Sequence, residues 1–551
     1  MVAQRPLRVR WLGRVAYREA LALQHGLFEN GSEQHLLLLE HPHVFTYGPR
    51  ADLATNLKCD PAAVGADFVN VKRGGDITYH GPGQLVGYPI LSIDNRIGAS
   101  DHVCNIEGLI IDALTELGVK GAGRLPGFAG VWLDPGTERE RKIAAIGVRL
   151  ANGRTMHGFA LNVATDLAYM REHIVPCGIG DRPVTSLAEE GVEVEMKTVV
   201  DLVARLAADR WGGGDVERQD VAWIHRPEDL SRFSRGEGPG EKVRLLGRLS
   251  DAGVTDGLDV TERKPEWLRP KVRLGNEVLG VKSTLRELGL VTVCEEAGCP
   301  NLSECWKDGT ATFMVLGERC TRACGFCLVD TRKPEAPEVD EPERIAEAVD
   351  RMGLSHAVLT MVARDDLDDG GFAHVADCVR AIRTRRPGTR VETLVSDAKG
   401  DEASLELLFA ARPDVFNHNI ETVARLQRAV RPSAGYARSL GVLSAARSAG
   451  LVAKSGFVLG MGETVDEVDG CLADLASVGV SIVTMGQYLR PTSHHLPVAR
   501  WIHPDEFARW KEVGEALGIA HVEASPLTRS SYHARQSADA ASVPVTIGGR
   551  R

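Results

Sequence analysis

A chain of 551 residues is too long for one ordinary hydrophobic core, so two or more domains are expected. With 43% hydrophobic and 25% charged residues the composition is that of a globular protein, and no run of 18 apolar residues marks a membrane span. A formal net charge of −10 speaks against nucleic-acid binding through phosphate contacts, and clustered cysteines without a signal-peptide pattern point to the cytoplasm.

In chain order, apolar spacing predicts a helix over 15–30, stopped by Gly31, and a buried strand over 35–40. Residues 67–91 read as strand at both ends around a glycine-rich middle, Arg73 to Gln84, where glycine permits close backbone approach or positive φ. Residues 101–118 read as a helix. Two strand-like runs, 142–150 and 154–163, are joined by Ala151-Asn152-Gly153, and Asn-Gly is a strong hairpin signal. Lys142 begins the first run and His157-Gly158 lies in the second. Cys177 follows on a predicted loop between Pro176 and Gly178. A lone cysteine is by default a small buried hydrophobe. The loop position favours exposure, and a nearby lysine could stabilise its thiolate or act as its base.

The stretches RGGDITYHGPGQL, KIAAIGVR, HGFALN and VPCGI, in this order, resemble the lipoyl (octanoyl) transferases over roughly residues 8–215. The resemblance implies an α+β domain like that of biotin and lipoate protein ligases. It implies octanoyl-acyl carrier protein as acyl donor, used without ATP. It further implies a Cys177–Lys142 dyad, in which Cys177 holds the octanoyl group as a thioester while Lys142 activates the thiol and helps deprotonate the acceptor lysine. Arg73, Gly74, Gly75, Asp76, Ile77, Thr78, Tyr79 and His80, with Ala145, Ile146, Gly147, Gly158, Phe159 and Ala160, would bind the acyl chain and its carbonyl. Cys59 and Cys104 match no motif and read as structural.

The segment RGEGPGEK, rich in glycine and charge, is linker chemistry. The expected division is an acyl-transfer domain over 1–229, a linker over 230–258, a second domain over 259–536 and a disordered tail over 537–551.

Six of the 11 cysteines lie between Cys294 and Cys327. Cys294, Cys299 and Cys305 have C-x4-C-x5-C spacing, and Cys320, Cys324 and Cys327 have C-x3-C-x2-C spacing. Three thiolates in one loop suit a cubic iron–sulfur cluster with one iron left open. Zinc usually takes four closed ligands, and disulfides require an exported chain. Beyond the first triplet, short apolar strands alternate with helical stretches six times, which predicts a partial (β/α)6 barrel. The second triplet follows the first of these strands, at the face where such barrels place their chemistry.

C-x3-C-x2-C in that position is the signature of the radical S-adenosylmethionine enzymes. Together, CEEAGCPNLSEC, FMVLGERCTRACGFC, ARDDLDDGG, NHNIETV, SGFVLGMGET, GQYLRPTSHHLPV and RSSYHA resemble lipoyl synthase over roughly 262–536. The resemblance implies two [4Fe-4S] clusters and S-adenosyl-L-methionine. Cys320, Cys324 and Cys327 would hold the cluster that cleaves S-adenosylmethionine. Cys294, Cys299 and Cys305 would hold an auxiliary cluster spent as sulfur donor to C6 and C8 of the octanoyl chain, with Ser531 (Ser530 the alternative) as its fourth ligand. Residues 417–419 and 460–463 would help bind S-adenosylmethionine, although Glu463-Thr464 before a helix also reads as an N-cap. His494-His495 reads as a loop feature, and Cys378 and Cys471 as core.

The two resemblances form one pathway, octanoyl transfer followed by sulfur insertion. The implied partners are octanoyl-acyl carrier protein, the lipoyl domains of 2-oxoacid dehydrogenases and the glycine cleavage H protein, and an electron donor such as ferredoxin or flavodoxin; no nucleic acid and no membrane are expected. The alternatives for the first half are a non-catalytic lipoyl-domain docking module and an ATP-dependent lipoate ligase.

Overall fold

A computed structural model of the chain describes residues 6–94, 96–176, 182–223, 248–255, 257–258, 262–269, 284–290, 292, 301–492 and 494–542. It divides into two units, Met1–Trp223 and Ile224–Arg551.

The first unit is built on a mixed sheet of eight strands: β1 (Leu7–Arg14), β2 (Gln34–Glu40), β6 (Gln84–Ile90), β7 (Ala122–Leu125), β8 (Phe128–Leu133), β9 (Arg141–Ala151), β10 (Arg154–Asn162) and β11 (Val216–Asp220). Their order is β11-β1-β2-β6-β10-β9-β8-β7. A smaller sheet pairs β3 (Val44–Tyr47) with β4 (Asp67–Asn70) and β5 (Thr78–His80). The helices Ala99–Glu116 and Met196–Trp211 bury Ile106, Leu109, Ile110, Val199 and Val203 against Leu36, Leu38 and Leu161 of the large sheet. The helix Tyr17–Asn30 ends as expected at Gly31, whose N–H donates to Leu27 O. The β9–β10 turn has Asn152 at φ 53° and Gly153 at φ 70°, the paired positive angles of a tight hairpin that Asn-Gly tolerates. This α+β architecture is the expected one.

The second unit is a wholly parallel sheet of seven strands in sequence order: β12 (Thr310–Val315), β13 (His356–Met361), β14 (Arg390–Leu394), β15 (Val415–Asn417), β16 (Val452–Leu459), β17 (Ile482–Gln487) and β18 (His521–Ala524). The first six are the strands read from the sequence. The seventh was not expected, because its four residues, HVEA, carry too little apolar alternation to register. Among the described residues β12 and β18 do not pair, so the barrel is open. Covered on both faces, the strand TATFMV is buried along its whole length. The central strands carry a buried polar cluster. Lys454 Nζ donates to both oxygens of Glu392 at 2.8 and 3.1 Å, Asn417 Nδ2 donates to Glu392 Oε1 at 2.9 Å, and His356 Nε2 lies 3.5 Å from Glu392.

Two expected boundaries need correction. Residues 537–542 are not a disordered tail: they complete the helix Ala534–Ser542, with Ala538 packed against Val415 and Ile482 and Asp539 paired to Arg390 at 2.6 Å. Small alanines and that ion pair are enough to dock a segment whose composition reads as unstructured. Residues 248–255 and 257–258, expected in the linker, pack within the second unit. Leu249 is buried, Leu258 N donates to Val498 O at 2.7 Å, and Arg425 donates to Ala252 O. The remaining linker lies outside the described residues.

Candidate active sites

In the first unit, β9 and β10 pair antiparallel with Gly147 opposite Gly158, Ile146 opposite Phe159 and Ala145 opposite Ala160. The two triplets singled out in the sequence are therefore cross-strand partners. With Arg73, Gly74, Gly75, Thr78 and His80 they line one cavity, joined by Tyr17, Tyr88 and His157. A side chain at Gly158 would strike Gly87 O at 2.1 Å, so this close approach of β10 to β6 requires glycine. Arg73 is held by Thr46, donating to its carbonyl at 2.7 Å and its hydroxyl at 3.0 Å.

Three expected contacts lie elsewhere. Strand alternation turns Thr78 and His80 toward the cavity and Tyr79 away from it, into a core with Ile77, Phe45 and Met170. Asp76 is a structural pin, accepting from Ile77 N at 2.6 Å and Asn56 Nδ2 at 3.0 Å. In their place stand Tyr17, Tyr88 and His157, which carried no motif signal beyond the histidine of HGFALN. His157 is 2% exposed, at φ 63°, with its N–H on Gln24 Oε1 at 3.0 Å. Burial, then Arg73, pushes its pKa down to about 3. Burial likewise lowers His80 to about 3 and raises Tyr17 to about 12. The cavity is thus lined by neutral hydrogen-bonding groups around one arginine.

Lys142, at the start of β9, is 7% exposed, with Nζ 5.3 Å from the centre of the Trp132 ring. Gly130, at φ 129°, makes room for it, since a Cβ there would meet Lys142 Cε at 2.5 Å. The Lys142 backbone accepts from Thr185 N and donates to Pro183 O, both at 2.9 Å, which ties β9 to the chain just after the cysteine loop. Cys177 itself lies outside the described residues. Cys59 packs against the small-sheet core, whereas Cys104 is exposed on its helix.

In the second unit, β12 leads through Leu316 and Gly317, both at positive φ, into the loop carrying Cys320, Cys324 and Cys327. Backbone bonds hold this loop to the rims of several strands: Cys320 N to Asp330 O, Thr321 N to Ala363 O, Gly325 N to Val430 O and Leu496 N to Gly325 O, all at 2.8–2.9 Å. Arg322, buried inside the loop, clamps Asp365 at 2.7 and 2.8 Å and Asp397 at 2.6 Å. Burial opposes the charge on Asp397, yet Arg322 and Arg438 hold it well below the usual carboxylate range.

Burial pushes the Cys324 thiol up to about 11, and burial followed by the neighbouring Cys324 raises Cys327 to about 12. Arg322 N lies 3.4 Å from Cys320 Sγ. Three half-buried thiols close enough to disfavour one another's charge, fed by backbone N–H groups, fit the donor set of a cubane, whose positive irons would offset that cost. No three His, Cys, Asp or Glu side chains among the described residues gather around a single ion. A cubane gives each cysteine a separate iron and does not need that geometry.

Of the first triplet, Cys294 and Cys299 lie outside the described residues. Cys305 sits buried in the helix Leu302–Lys307. The Arg529-Ser530-Ser531-Tyr532 segment returns to this helix, with Tyr532 Oη 3.3 Å from each Glu304 carboxylate oxygen.

His418 is spent on structural bonds, to Val395 O at 2.9 Å and to Ser439 Oγ at 3.0 Å, whereas Asn417 donates to Glu392 through Nδ2 and its buried Oδ1 has no hydrogen-bond partner among the described residues. Glu463 accepts from Gly460 N and Met461 N, both at 2.9 Å, while Thr464 caps the helix Val465–Ser477 in a reciprocal box with Glu467. His495, read as a loop feature, bonds the Cys327 carbonyl. Cys378 and Cys471 are buried in the core, as expected. No helix among the described residues is long and apolar enough to cross a membrane.

An open parallel barrel with three cysteines at the exit of its first strand defines a radical S-adenosylmethionine enzyme, and the Radical SAM superfamily model matches residues 314–475. The model of the N-terminal domain of lipoyl synthase of that family matches residues 252–299. A lipoyl synthase of Rubrobacter xylanophilus is 52% identical over 278 residues, covering 50% of this chain and 87% of the relative. One of Mycobacterium leprae is 50% identical over 308 residues, covering 56% and 97%. The chain belongs to the lipoyl synthase family. Its first unit carries a lipoyl protein ligase A/B catalytic domain, matched over residues 16–207. Overlays on solved structures are looser: a lipoate-protein ligase A bound with ATP is 18% identical at a TM-score of 0.34, covering 40% of this chain and 90% of that one. Family membership implies S-adenosylmethionine and [4Fe-4S] chemistry in the second unit, which the cysteine loop fits.

Proposed function

We propose that the chain performs two consecutive steps of lipoyl-group assembly. The first unit transfers octanoyl from octanoyl-acyl carrier protein to a lysine of a lipoyl domain. Lys142 takes the proton of the Cys177 thiol, the thiolate attacks the thioester carbonyl, and the carrier sulfur leaves as a thiol with the proton that Lys142 returns. The acceptor amine then displaces Cys177, and Lys142 takes up the proton that the amine sheds. The second unit inserts two sulfurs at C6 and C8 of the same chain. Cys320, Cys324 and Cys327 hold the cluster that binds S-adenosylmethionine and, when loaded, supplies the one-electron chemistry that opens C–H bonds. Cys294, Cys299, Cys305 and Ser531 hold the cluster that is consumed as sulfur donor. Its substrates are the lipoyl domains of 2-oxoacid dehydrogenases and the glycine cleavage H protein, and a small redox protein such as ferredoxin or flavodoxin supplies electrons.

The observation that carries this reading is the cavity formed by the facing triplets 145–147 and 158–160, on the strand that begins with Lys142, in a chain whose second unit is a lipoyl synthase. Anaerobic incubation with octanoyl-acyl carrier protein, apo-lipoyl domain, S-adenosylmethionine and reductant tests it, with mass spectrometry of the target lysine. An octanoyl adduct that then gains two sulfurs supports both steps, and loss of the adduct in Cys177→Ser supports the thioester. Transfer that requires ATP, or no adduct at all, refutes the first step.

A further inference from the structure

The segment bearing Ser531 is pinned upstream to β17, through Ser525 N to Met485 O at 3.2 Å and Gln487 N to Pro526 O at 3.1 Å. Downstream of those pins its side chains reach residues 301–308, the helix of Cys305 and its flanks, while His533 also reaches Glu523 at 3.4 Å and Asp539 pairs with Arg390 at 2.6 Å. Asn301 Nδ2 donates to Leu527 O at 2.8 Å, and Tyr532 reaches Glu304. Arg535 donates to Asp308 at 2.8 and 3.4 Å, and Gln536 Nε2 donates to Asp308 Oδ2 at 3.0 Å. Every one of these ties to 301–308 joins residues more than 220 positions apart in sequence. A cavity of about 300 Å³ opens between the two segments, lined by Glu304, Cys305, Asp308, Thr310, His533 and Gln536. Thr310 is 3% exposed and its hydroxyl has no hydrogen-bond partner among the described residues. The interface is therefore not a closed core contact: the two segments are held apart, side by side, by polar arms.

We infer that Asp308 and Glu304 on one side, with Arg535, Gln536 and Tyr532 on the other, form a polar clasp that positions Ser531 against the auxiliary cluster held by Cys305. This rests on the proposed role of Ser531 as the oxygen ligand. One exposed ion pair alone is worth little, but Asp308 receives two side chains at once and Glu304 fixes a third, so the clasp sets the register of the segment. These are positioning residues; none touches the cluster. The clasp side chains are solvent-accessible, so their bonds can break while Ala534 and Ala538 stay buried, as the exchange of a consumed cluster demands.

The test uses the full chain, loaded anaerobically with iron and sulfide, as Asp308→Asn, Arg535→Gln, the charge swap Asp308→Arg with Arg535→Asp, and Ser531→Ala. Outer partners of metal ligands typically contribute about 10–100-fold in metal affinity. Asp308→Asn and Arg535→Gln should each lose one auxiliary-cluster iron to a chelator at correspondingly lower concentration, and should show the electron paramagnetic resonance of a three-iron cluster after mild oxidation, as Ser531→Ala does. The charge swap should restore the parent spectrum. The S-adenosylmethionine-responsive signal of the other cluster reports intact folding. If a variant loses that signal, Tyr532→Phe, which deletes a single oxygen, replaces it. A three-iron signal in Ser531→Ala but parent behaviour in the clasp variants overturns the clasp alone. Parent behaviour in Ser531→Ala overturns the ligand reading and the clasp with it.

Discussion

His495 Nε2 lies 2.9 Å from the carbonyl oxygen of Cys327, across 168 residues of sequence, while its Nδ1 lies 2.8 Å from Thr492 Oγ1. The carbonyl can only accept, so Nε2 carries the proton and Nδ1 accepts from the threonine. The histidine that looks like half of a metal pair is instead a brace on the cluster loop. His495→Ala should lower iron retention at the Cys320–Cys324–Cys327 site by about tenfold. His495→Gln, which keeps a donor of similar reach, should retain most of it. Iron content and visible absorption after anaerobic loading decide the matter.

Gly130 predicts a substitution that separates the two proposed activities. A Cβ at this position meets Ala144 O and Lys142 Cε, each at 2.5 Å, on a backbone at φ 129°. Gly130→Val should displace the lysine and destabilise the first unit by roughly 1–3 kcal/mol through overpacking, with backbone strain in addition. Octanoyl transfer should fall by at least about tenfold, since a small misplacement of a catalytic group costs that much or more. Sulfur insertion into a lipoyl domain already octanoylated should be unchanged. Both rates are read by mass spectrometry from one preparation.

The Lys454–Glu392 pair predicts a pH dependence. Burial would raise the Glu392 carboxyl, but Lys454 and His356 bring it down to about 2. A folded-state value below the unfolded one contributes stability above the unfolded carboxylate range, near 4.3. That contribution is lost as pH falls from there through about 2. Lys454→Met strands a buried carboxylate and should cost about 3–5 kcal/mol, whereas Lys454→Met with Glu392→Leu should recover most of the loss. The barrel transition in calorimetry of the full chain, followed between neutral and acid pH, checks both.

Thr464 and Glu463 are neighbours with different duties. Thr464→Ala removes a helix cap and should cost about 1 kcal/mol without changing S-adenosylmethionine affinity. Glu463→Ala frees two buried N–H groups of the Gly460–Met461 turn, which the sequence associates with that cofactor, and should weaken binding as well as stability. Equilibrium binding and thermal denaturation of the two variants separate cap from site. Equal cofactor affinity in both would remove this turn from the binding surface.

The elements easiest to read from sequence were those whose local chemistry and tertiary role agree. Asn152-Gly153 dictated the hairpin, and the hairpin put Gly147 opposite Gly158, so two triplets far apart in the chain became one cavity wall. The loop from Arg73 to His80 was legible as a unit but not residue by residue, because strand parity sends Tyr79 inward while Thr78 and His80 face the cavity. Tyr17 and Tyr88 escaped notice because an aromatic on an amphipathic helix or a buried strand carries no sign of which cavity it meets. Strand β18 and the helix Ala534–Ser542 exist through what they pack against, a contribution of tertiary structure that no window of a few residues contains.

The ties between Tyr532 and Glu304 and between Arg535 and Asp308 span 228 and 227 residues. At about 5–20 residues synthesised per second, the helix of Cys305 leaves the ribosome roughly 10 to 45 seconds before the segment that meets it. On the proposed reading of Ser531 as oxygen ligand, Cys305 has no such partner through that interval. If Ser531 completes the auxiliary site as proposed, its assembly is a late event in the life of a nascent chain, and cells short of iron or exposed to oxygen would meet it as a window of vulnerable, half-built protein.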